Sequence, residues 1–466
     1  MMPARSRFAV ALCAAGFGMA TLPAFAAPVD EDTAAVIQDL KRRIEALEQQ
    51  LSAKAAQPAA EVAAPAAVAP VAPVVAATAP APAPTPAAVA NGGDFKLAWG
   101  GYIKTDFITS RYSDGAVPQS LGRDAYIPNS IPVAATGAEN ARTYTDLHAK
   151  ETRLYLRGSG LMYGHKVAIN AEFDFISGQL GQGIAGAPNE AVTNPYNPAF
   201  RLGYLDFDNF RIGQDWSTLQ NMVALPDIID LVNWPSEGTV FSRQPMIRYT
   251  YGPLAVALEN SESTVATLGG NAFTVTDDNT LPDLVWRYTL KTAAWGDYTL
   301  SGVVRQVTDR GTVAGGNDTS MGYGLSFAGK IPLWGQDDLR FTFSGGDGFG
   351  RYMALNTVGD AVVDANGKLR TVEVYNGFVA WHHPWNEQWR SNLALSALHA
   401  NTGQIDEGSI FGPGVSRNVR SATLNLLYSP IPKITFGAEY RYARRDTVGN
   451  LSGDMSRLQF SARYNF

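Results

Sequence analysis

The chain has little charge and almost no cysteine. Only 17% of its 466 residues are Asp, Glu, Lys or Arg, and the formal net charge is −6. A nucleic-acid-binding protein would show a basic excess, so the composition excludes that class. The single cysteine, Cys13, lies in a segment that we expect to be cleaved off. Disulfides, thiolate metal sites and cysteine nucleophiles are then excluded from the mature chain.

Long apolar runs are missing as well. The body of the chain has no stretch of about 18 consecutive apolar residues, which argues against a helical membrane protein. Glycine (45 residues) and aromatic residues (11%) are plentiful. This composition suits short strands, tight turns and the aromatic girdles of a membrane-spanning barrel, although a large soluble β protein would share it.

Motifs for catalysis and metal binding are scarce. No G-x-S-x-G, P-loop or Rossmann glycine pattern occurs in a suitable context. Metal-ligand spacing is missing among the histidines, which are His148, His165, His382, His383 and His399. His382 and His383 lie at a predicted turn beside three tryptophans, a pattern typical of an interfacial aromatic belt. We therefore predict no enzymatic activity, no metal and no cofactor; a barrel hydrolase with an outward Ser-His pair is the remaining alternative.

Residues 1–26 have the organisation of a secretory signal peptide. Arg5 and Arg7 supply the positive start, 8–20 is a short apolar run, and Ala24-Phe25-Ala26 is an A-x-A cleavage site. A membrane anchor is the alternative, but the run is short and Pro23 ends it. The protein is thus predicted to be exported.

Two further segments precede the body of the chain. Residues 30–54 carry a heptad pattern, which predicts a periplasmic coiled coil whose seam is Ile37, Leu40, Ile44, Leu47 and Leu51. Ile and Leu at these heptad positions favour a coiled coil of two helices, and a lone amphipathic helix is the alternative. Residues 55–93 are mostly Ala, Pro and Val, which predicts an extended linker.

The body, residues 94–466, alternates between apolar and polar positions. The last segment has apolar side chains at 458, 460, 462, 464 and 466, with polar ones between them. About sixteen such segments occur, and an even number closes an antiparallel barrel. We predict an all-β fold, a transmembrane antiparallel β-barrel preceded by the coiled-coil helix. The terminal Phe466 resembles the signature that barrel-assembly machinery recognises.

Breaks between the segments alternate in length. Short breaks such as 158–160, 251–253 and 429–432 predict periplasmic turns. Long polar breaks, including 110–148, 177–198, 261–280 and 345–371, predict outer loops. Residues 214–243 depart from this pattern because they are too apolar for a solvated loop. We predict that this segment folds into the lumen and narrows it; packing over a neighbouring subunit is the alternative.

Many cations share the polar face of the predicted strands. Opposite charges could pair there and stiffen the wall, or the guanidinium groups could attract anions into a narrow pore. The predicted pore-lining residues are Lys104, Arg153, Arg157, Arg211, Arg243, Arg248, Arg287, Arg305 and Arg441.

The whole organisation resembles the DcaP family of trimeric outer-membrane porins. The resemblance rests on the segments 211–218 (RIGQDWST), 242–249 (SRQPMIRY) and 101–107 (GYIKTDF). It implies a sixteen-stranded homotrimer in the bacterial outer membrane, with periplasmic N-terminal helices and a preference for small anionic solutes such as dicarboxylates. We predict a porin for passive diffusion; a structural tether between the outer membrane and an envelope partner of the coiled coil is the alternative.

Overall fold

The computed structural model describes residues 87–90 (backbone), 95–118, 120–135, 140–176, 196–230, 234–402 and 410–466. The predicted signal peptide, the coiled coil at 30–54 and most of the predicted linker at 55–93 lie outside these residues and stay predictions. Directly after the last proline of that linker, residues Ala87–Ala90 form a short strand.

Twenty-two strands account for most of the described chain. In chain order, β1 to β22 are Ala87–Ala90, Phe95–Tyr112, Arg142–His148, Arg153–Met162, His165–Asp174, Ala199–Phe207, Phe210–Trp216, Arg243–Tyr251, Leu254–Glu259, Thr264–Ala266, Phe273–Val275, Asp283–Thr292, Gly296–Asp309, Asp318–Pro332, Asp338–Asp347, Ala361–Val363, Leu369–Thr371, Glu373–Pro384, Trp389–Asn401, Ser416–Ile431, Ile434–Thr447 and Ser452–Asn465.

Neighbouring strands pair antiparallel around a closed barrel. The last strand, β22, returns to β2, with Ile103 opposite Tyr464 and Phe107 opposite Phe460. On the other edge of β2, β3 and β4 follow each other as one interrupted wall strand, while β1 continues the edge beside β22. The wall therefore has sixteen strands, and the predicted fold class is confirmed.

Side chains alternate between lipid and lumen as the sequence predicts. On β2, Ile103 and Phe107 are exposed on the outer face, whereas Lys104 and Asp106 are buried inside. In a membrane barrel the outward apolar side chains contact lipid, so their exposure is satisfied by the bilayer. The charged residues between them are the ones available to the lumen.

Short turns lie at one end of the barrel; the long loops lie at the other, together with the four-residue turn 448–451 between β21 and β22. One predicted turn is wrong: Gly158-Ser159-Gly160 lies inside β4, and the turn follows at Tyr163 and Gly164. Both turn residues have positive φ, 52° and 84°, as a tight hairpin requires. A Cβ at Gly158 would lie 2.7 Å from the Phe95 ring, so this glycine serves packing against an aromatic ring.

Two long loops build a lid over the barrel. Strands β10 and β11 come from the loop after β9, and β16 and β17 come from the loop after β15; together they form a small separate sheet. An apolar cluster that includes Phe349, Tyr352 and Val362 fills the space beneath this sheet. The cluster also includes wall residues such as Val303 and Leu398, so the lid is packed onto the barrel and does not depend on surface hydrogen bonds alone.

Helices are few and short in the described part of the chain. They are α1 (Leu121–Asp124) and three 3-10 turns, Pro128–Ser130, Ser236–Gly238 and Gly350–Tyr352. None of the described helices is long and apolar enough to span a bilayer.

The wall differs in height around the barrel. Strands β13 and β14 contain 14 and 15 residues, but β7 and β9 contain seven and six. A tilted strand needs about 9–11 residues to cross the hydrocarbon core. The arc at β7 and β9 is therefore too low to span a bilayer with strand residues alone.

Candidate functional site

The segment between β7 and β8 crosses the inside of the barrel. We call residues 217–242, of which 231–233 are not described, the constriction loop. Its apolar side chains Leu225, Ile228 and Trp234 pack against inward residues of β18 such as Phe378. The predicted location in the lumen is thus the observed one, although β7 and β8 extend to Trp216 and Arg243 and shorten the loop at both ends.

Six cations of the barrel wall, here called the anchor cations, hold the constriction loop. Each places a charged donor on a loop oxygen at 2.6–3.4 Å, and the pairs are Lys104–Ile229, Arg248–Thr218, Arg287–Gln220, Arg340–Leu225, Arg390–Asp227 and Arg457–Asp230. Hydrogen bonds with a charged donor are about twice as strong as neutral ones. The loop is therefore fixed along its length by strands on several sides of the barrel.

Asp227 is the most connected residue of the constriction loop. Its carboxylate accepts from Arg390 at 2.7 Å, and its carbonyl oxygen accepts from Asn392 and Asn425 at 2.9 and 2.8 Å. Burial favours the neutral acid, but the adjacent Arg390 guanidinium outweighs it and holds the pKa of Asp227 below its ordinary value. The carboxylate thus stays charged and bound at neutral pH.

Two of the predicted pore residues hold other loops. Arg305 is fully buried; it pairs with Asp360 at 2.8 Å and Asp283 at 3.3 Å and donates to the Gly348 carbonyl, so it ties the lid to the wall. Arg441 pairs with Glu439 at 3.3 Å and lies over the Tyr126 ring in the loop after β2. Neither lines open space.

Two others remain on the wall. Arg157 donates to Asn170 at 3.1 Å and stacks on Tyr155. Arg211 is bound bidentately by Asp206, at 2.7 and 2.8 Å, and also pairs with Asp215 at 2.7 Å. Arg211 is thus neutralised by two carboxylates, whereas Arg157 has an amide and an aromatic ring beside it.

A cavity of about 480 Å³ lies between the constriction loop and the β4–β8 side of the wall. Four arginines line it, and we call them the cavity arginines: Arg153, Arg201, Arg243 and Arg463. Tyr102 and Tyr204 line it too, together with the loop residues Met222, Leu225 and Asp227. The cavity thus joins cationic, aromatic and apolar surface in one place.

Carboxylates also line the cavity, but each is already paired. Glu172 accepts from Arg201 at 3.0 Å, Asp215 from Arg248 at 3.0 Å, and Asp227 from Arg390. In contrast, no described carboxylate lies within ion-pair distance of Arg243 or Arg463. Arg243 lies over the Trp216 ring at 5.1 Å, and Arg463 lies over Tyr102 at 4.6 Å. Two of the four cavity arginines thus carry a charge that no described carboxylate balances.

Arg243 reaches the lumen because the strict alternation of β7 and β8 ends at the pair Trp216 and Arg243. Gly213 in β7 has a φ of +130°. Asp215 and Trp216, the last two residues of the same strand, are both buried. A Cβ at Gly213 would lie 2.3 Å from the Gly203 carbonyl oxygen, so no other residue fits there. Trp216 pairs with Arg243 across the strands and brings it inside.

The nine predicted residues therefore separate into groups. Arg153 and Arg243 line the cavity; Lys104, Arg248 and Arg287 are anchor cations; Arg157, Arg211, Arg305 and Arg441 do neither. The prediction missed two cavity arginines. Arg463 shares the polar face of the terminal strand, whereas Arg201 lies beside a register shift of β5 and β6, which the period-two pattern does not reveal.

Metal-binding geometry does not occur in the described part of the chain, where no three His, Cys, Asp or Glu side chains converge. The cavity is the candidate functional surface of the described structure. A sixteen-stranded wall with a loop fixed across its lumen defines an outer-membrane channel of the porin type.

Comparison with known proteins identifies the family. The family model described as DcaP outer membrane protein matches residues 178–466, and the chain belongs to this family. The crystal structure of the outer membrane channel DcaP of Acinetobacter baumannii is 22% identical and has a TM-score of 0.64; the match covers 82% of this chain and 100% of that one.

More distant barrels match as well. A loop-deletion mutant of OmpT from Vibrio cholerae and an anion-selective porin from Comamonas acidovorans are each 11% identical, with a TM-score of 0.47 and coverage of 80% of this chain and 100% of theirs. No curated protein sequence matches the chain. The homologues are channels of the bacterial outer membrane, which are not enzymes.

Proposed function

We propose that the chain is a porin for passive diffusion of small anionic solutes, including dicarboxylates, through the cavity beside the constriction loop. The single observation that carries this proposal is the pair Arg243 and Arg463, which line the cavity without a carboxylate partner in the described structure. A guanidinium binds a carboxylate through two parallel hydrogen bonds, so an anion can occupy the space that a protein carboxylate leaves open. No cofactor is required, because solutes follow their own gradient.

We further infer a homotrimer. Strands β7 and β9 are too short to cross the hydrocarbon core, so lipid would meet polar backbone at this arc of the wall. Contact with neighbouring copies would shield it. The long loops would face the exterior, and the short turns and both chain ends the periplasm.

Single-channel recording in planar bilayers, with reversal potentials under a salt gradient, tests both proposals. We expect three equal conductance steps and a preference for anions. In the double variant Arg243→Gln/Arg463→Gln the anion preference should fall severalfold, because both unpaired charges are lost while the loop keeps its anchors.

The matched control is Arg370→Gln on the lid, whose side chain is 58% exposed, pairs with Asp364 and does not line the cavity. It should leave the reversal potential unchanged. Cation selectivity of the unaltered protein would contradict the solute class. A folded protein that never conducts would contradict the channel and favour the tether.

A further inference from the structure

A groove runs over the lipid-facing surface of β15, β18, β19 and β20. Its volume is about 790 Å³. The side chains of Phe343, Tyr375 and Leu395, each about half exposed, form its walls. Gly377 and Ala397 lie opposite each other on adjacent strands and form its floor. Such a depression accepts a narrow apolar chain, which the surrounding rings would contact from several sides.

A cation stands at the edge of this groove. Arg420 lies directly opposite Ala397, faces outward and is exposed. It is four residues from the start of β20 at the long-loop end, and the outward positions on its other side are apolar, including Leu424 and Leu426. Arg420 therefore lies at the level where the apolar band ends and lipid headgroups begin.

Within the described structure no carboxylate pairs with Arg420. The carboxylate that lines the groove, Asp446, is held by Arg444 at 3.0 Å. Arg444 is also the residue directly opposite Arg420 on β21. Arg444 is neutralised by Asp446 and also by Asp454 at 3.5 Å, so Arg420 is the cation of this pair that an external anion would bind.

We propose that this groove binds a phosphorylated lipid, with one acyl chain between Phe343, Tyr375 and Leu395 and a phosphate on Arg420. Guanidinium groups bind phosphate oxygens bidentately, and basic positions at the membrane surface select anionic headgroups. The groove lies on the long-strand side of the barrel, away from the low arc at β7 and β9, so lipid rather than protein contacts it. The proposal rests on the proposed orientation, in which the long-loop end meets the outer leaflet.

Native mass spectrometry of the full chain in dodecyl maltoside tests this, with diphosphoryl lipid A as the probe and phosphatidylethanolamine as the zwitterionic comparison. We expect lipid A to be retained and Arg420→Gln to lower its occupancy roughly tenfold, the effect of one charge-assisted hydrogen bond. Ala397→Leu, which fills the floor of the groove from an exposed position, should lower it as well.

The matched control is Arg111→Gln, which removes another exposed outward cation that lies outside the groove. It should retain lipid A at the level of the unaltered protein. Equal losses in the Arg111 and Arg420 variants, or full retention in Arg420→Gln, would overturn the proposal. Displacement by excess inorganic phosphate with normal binding in Ala397→Leu would show a phosphate site without a lipid groove, which also overturns it. Conductance and ion selectivity of Arg420→Gln should be unchanged, so this test fails or succeeds independently of the channel.

Discussion

The anchor cations and the cavity arginines belong to the same barrel interior and the same residue types, yet they act in opposite ways. Lys104 is 3% exposed, pairs with Asp106 at 3.3 Å and with Glu151, and donates to the Ile229 carbonyl. Arg243 has an aromatic ring beside it and open space ahead of it. Lys104 is thus neutralised by protein carboxylates, whereas Arg243 and Arg463 present their charge to whatever enters the cavity.

This difference separates two properties of the channel, the position of the constriction and the preference for ions, which a simple count of lumen cations would not distinguish. A cation that ends on a loop carbonyl or a buried carboxylate determines the position of the constriction. A cation without such a partner determines which ions prefer the pore. Stability and pore size should therefore respond to one group of substitutions, and ion selectivity to the other.

The largest effect should come from an anchor cation. Lys104→Met keeps the length of the side chain but removes the buried cation shared by Asp106 and Glu151, and the loss of one partner of a buried pair costs about 3–5 kcal/mol. We expect a markedly lower temperature for the loss of the folded, heat-modifiable form in gel electrophoresis.

The matched control is Arg463→Met in the cavity. Its guanidinium donates only to Asn465 at 2.9 Å among the described residues, so its removal should change the unfolding temperature little. Equal destabilisation of the two variants would contradict the division into anchor cations and cavity arginines.

A smaller effect is expected from labelling the constriction loop. Met222 lines the cavity and is 42% exposed, whereas Leu219 on the same loop is 1% exposed. The one cysteine of the chain lies in the predicted signal peptide, so an introduced thiol would be unique in the mature protein. An anionic methanethiosulfonate reagent should reduce the conductance of Met222→Cys and leave Leu219→Cys unchanged. Equal reactivity would mean that the loop does not hold this orientation in the membrane.

The sequence predicted the wall more completely than the cavity. Period-two alternation placed Lys104, Arg248 and Arg441 on the inner face correctly, because the side-chain direction of a strand follows from parity. The odd or even position of a residue along its strand does not tell how high it lies along the barrel axis or which groups its side chain contacts. It could not distinguish Arg305, which holds the lid, from Arg153, which lines open space.

The remaining errors come from departures from regular strands. Arg201 was missed because it lies beside a register shift; Arg243 was predicted in the pore, but it reaches the cavity only because Trp216 opposite it is buried, and both effects depend on contacts across strands. The apolar character of the constriction loop, by contrast, was visible in the sequence, because an exposed loop would not carry Leu225, Ile228 and Trp234 together. The predicted coiled coil depends on residues outside the described structure.

The smallest effect should come from protonation of Asp227 at low pH, which breaks its ion pair with Arg390. Its pKa is held below the ordinary carboxyl value of about 3.9. The ion pair with Arg390 is therefore fully present above that value and is lost only as the pH falls through the lowered pKa. Side chains about a quarter exposed, 22% and 25% here, limit the contribution to about 0.2–1 kcal/mol.

Open-channel current noise measured against pH checks this release. The unaltered protein should stay quiet down to about pH 3.9 and become noisier below it as the loop loosens at this point. Asp227→Asn lacks the charge at every pH, so its noise should be raised already at neutral pH and change little on acidification. An equal rise in both proteins would contradict this assignment, and the constriction loop would then be held without help from this carboxylate.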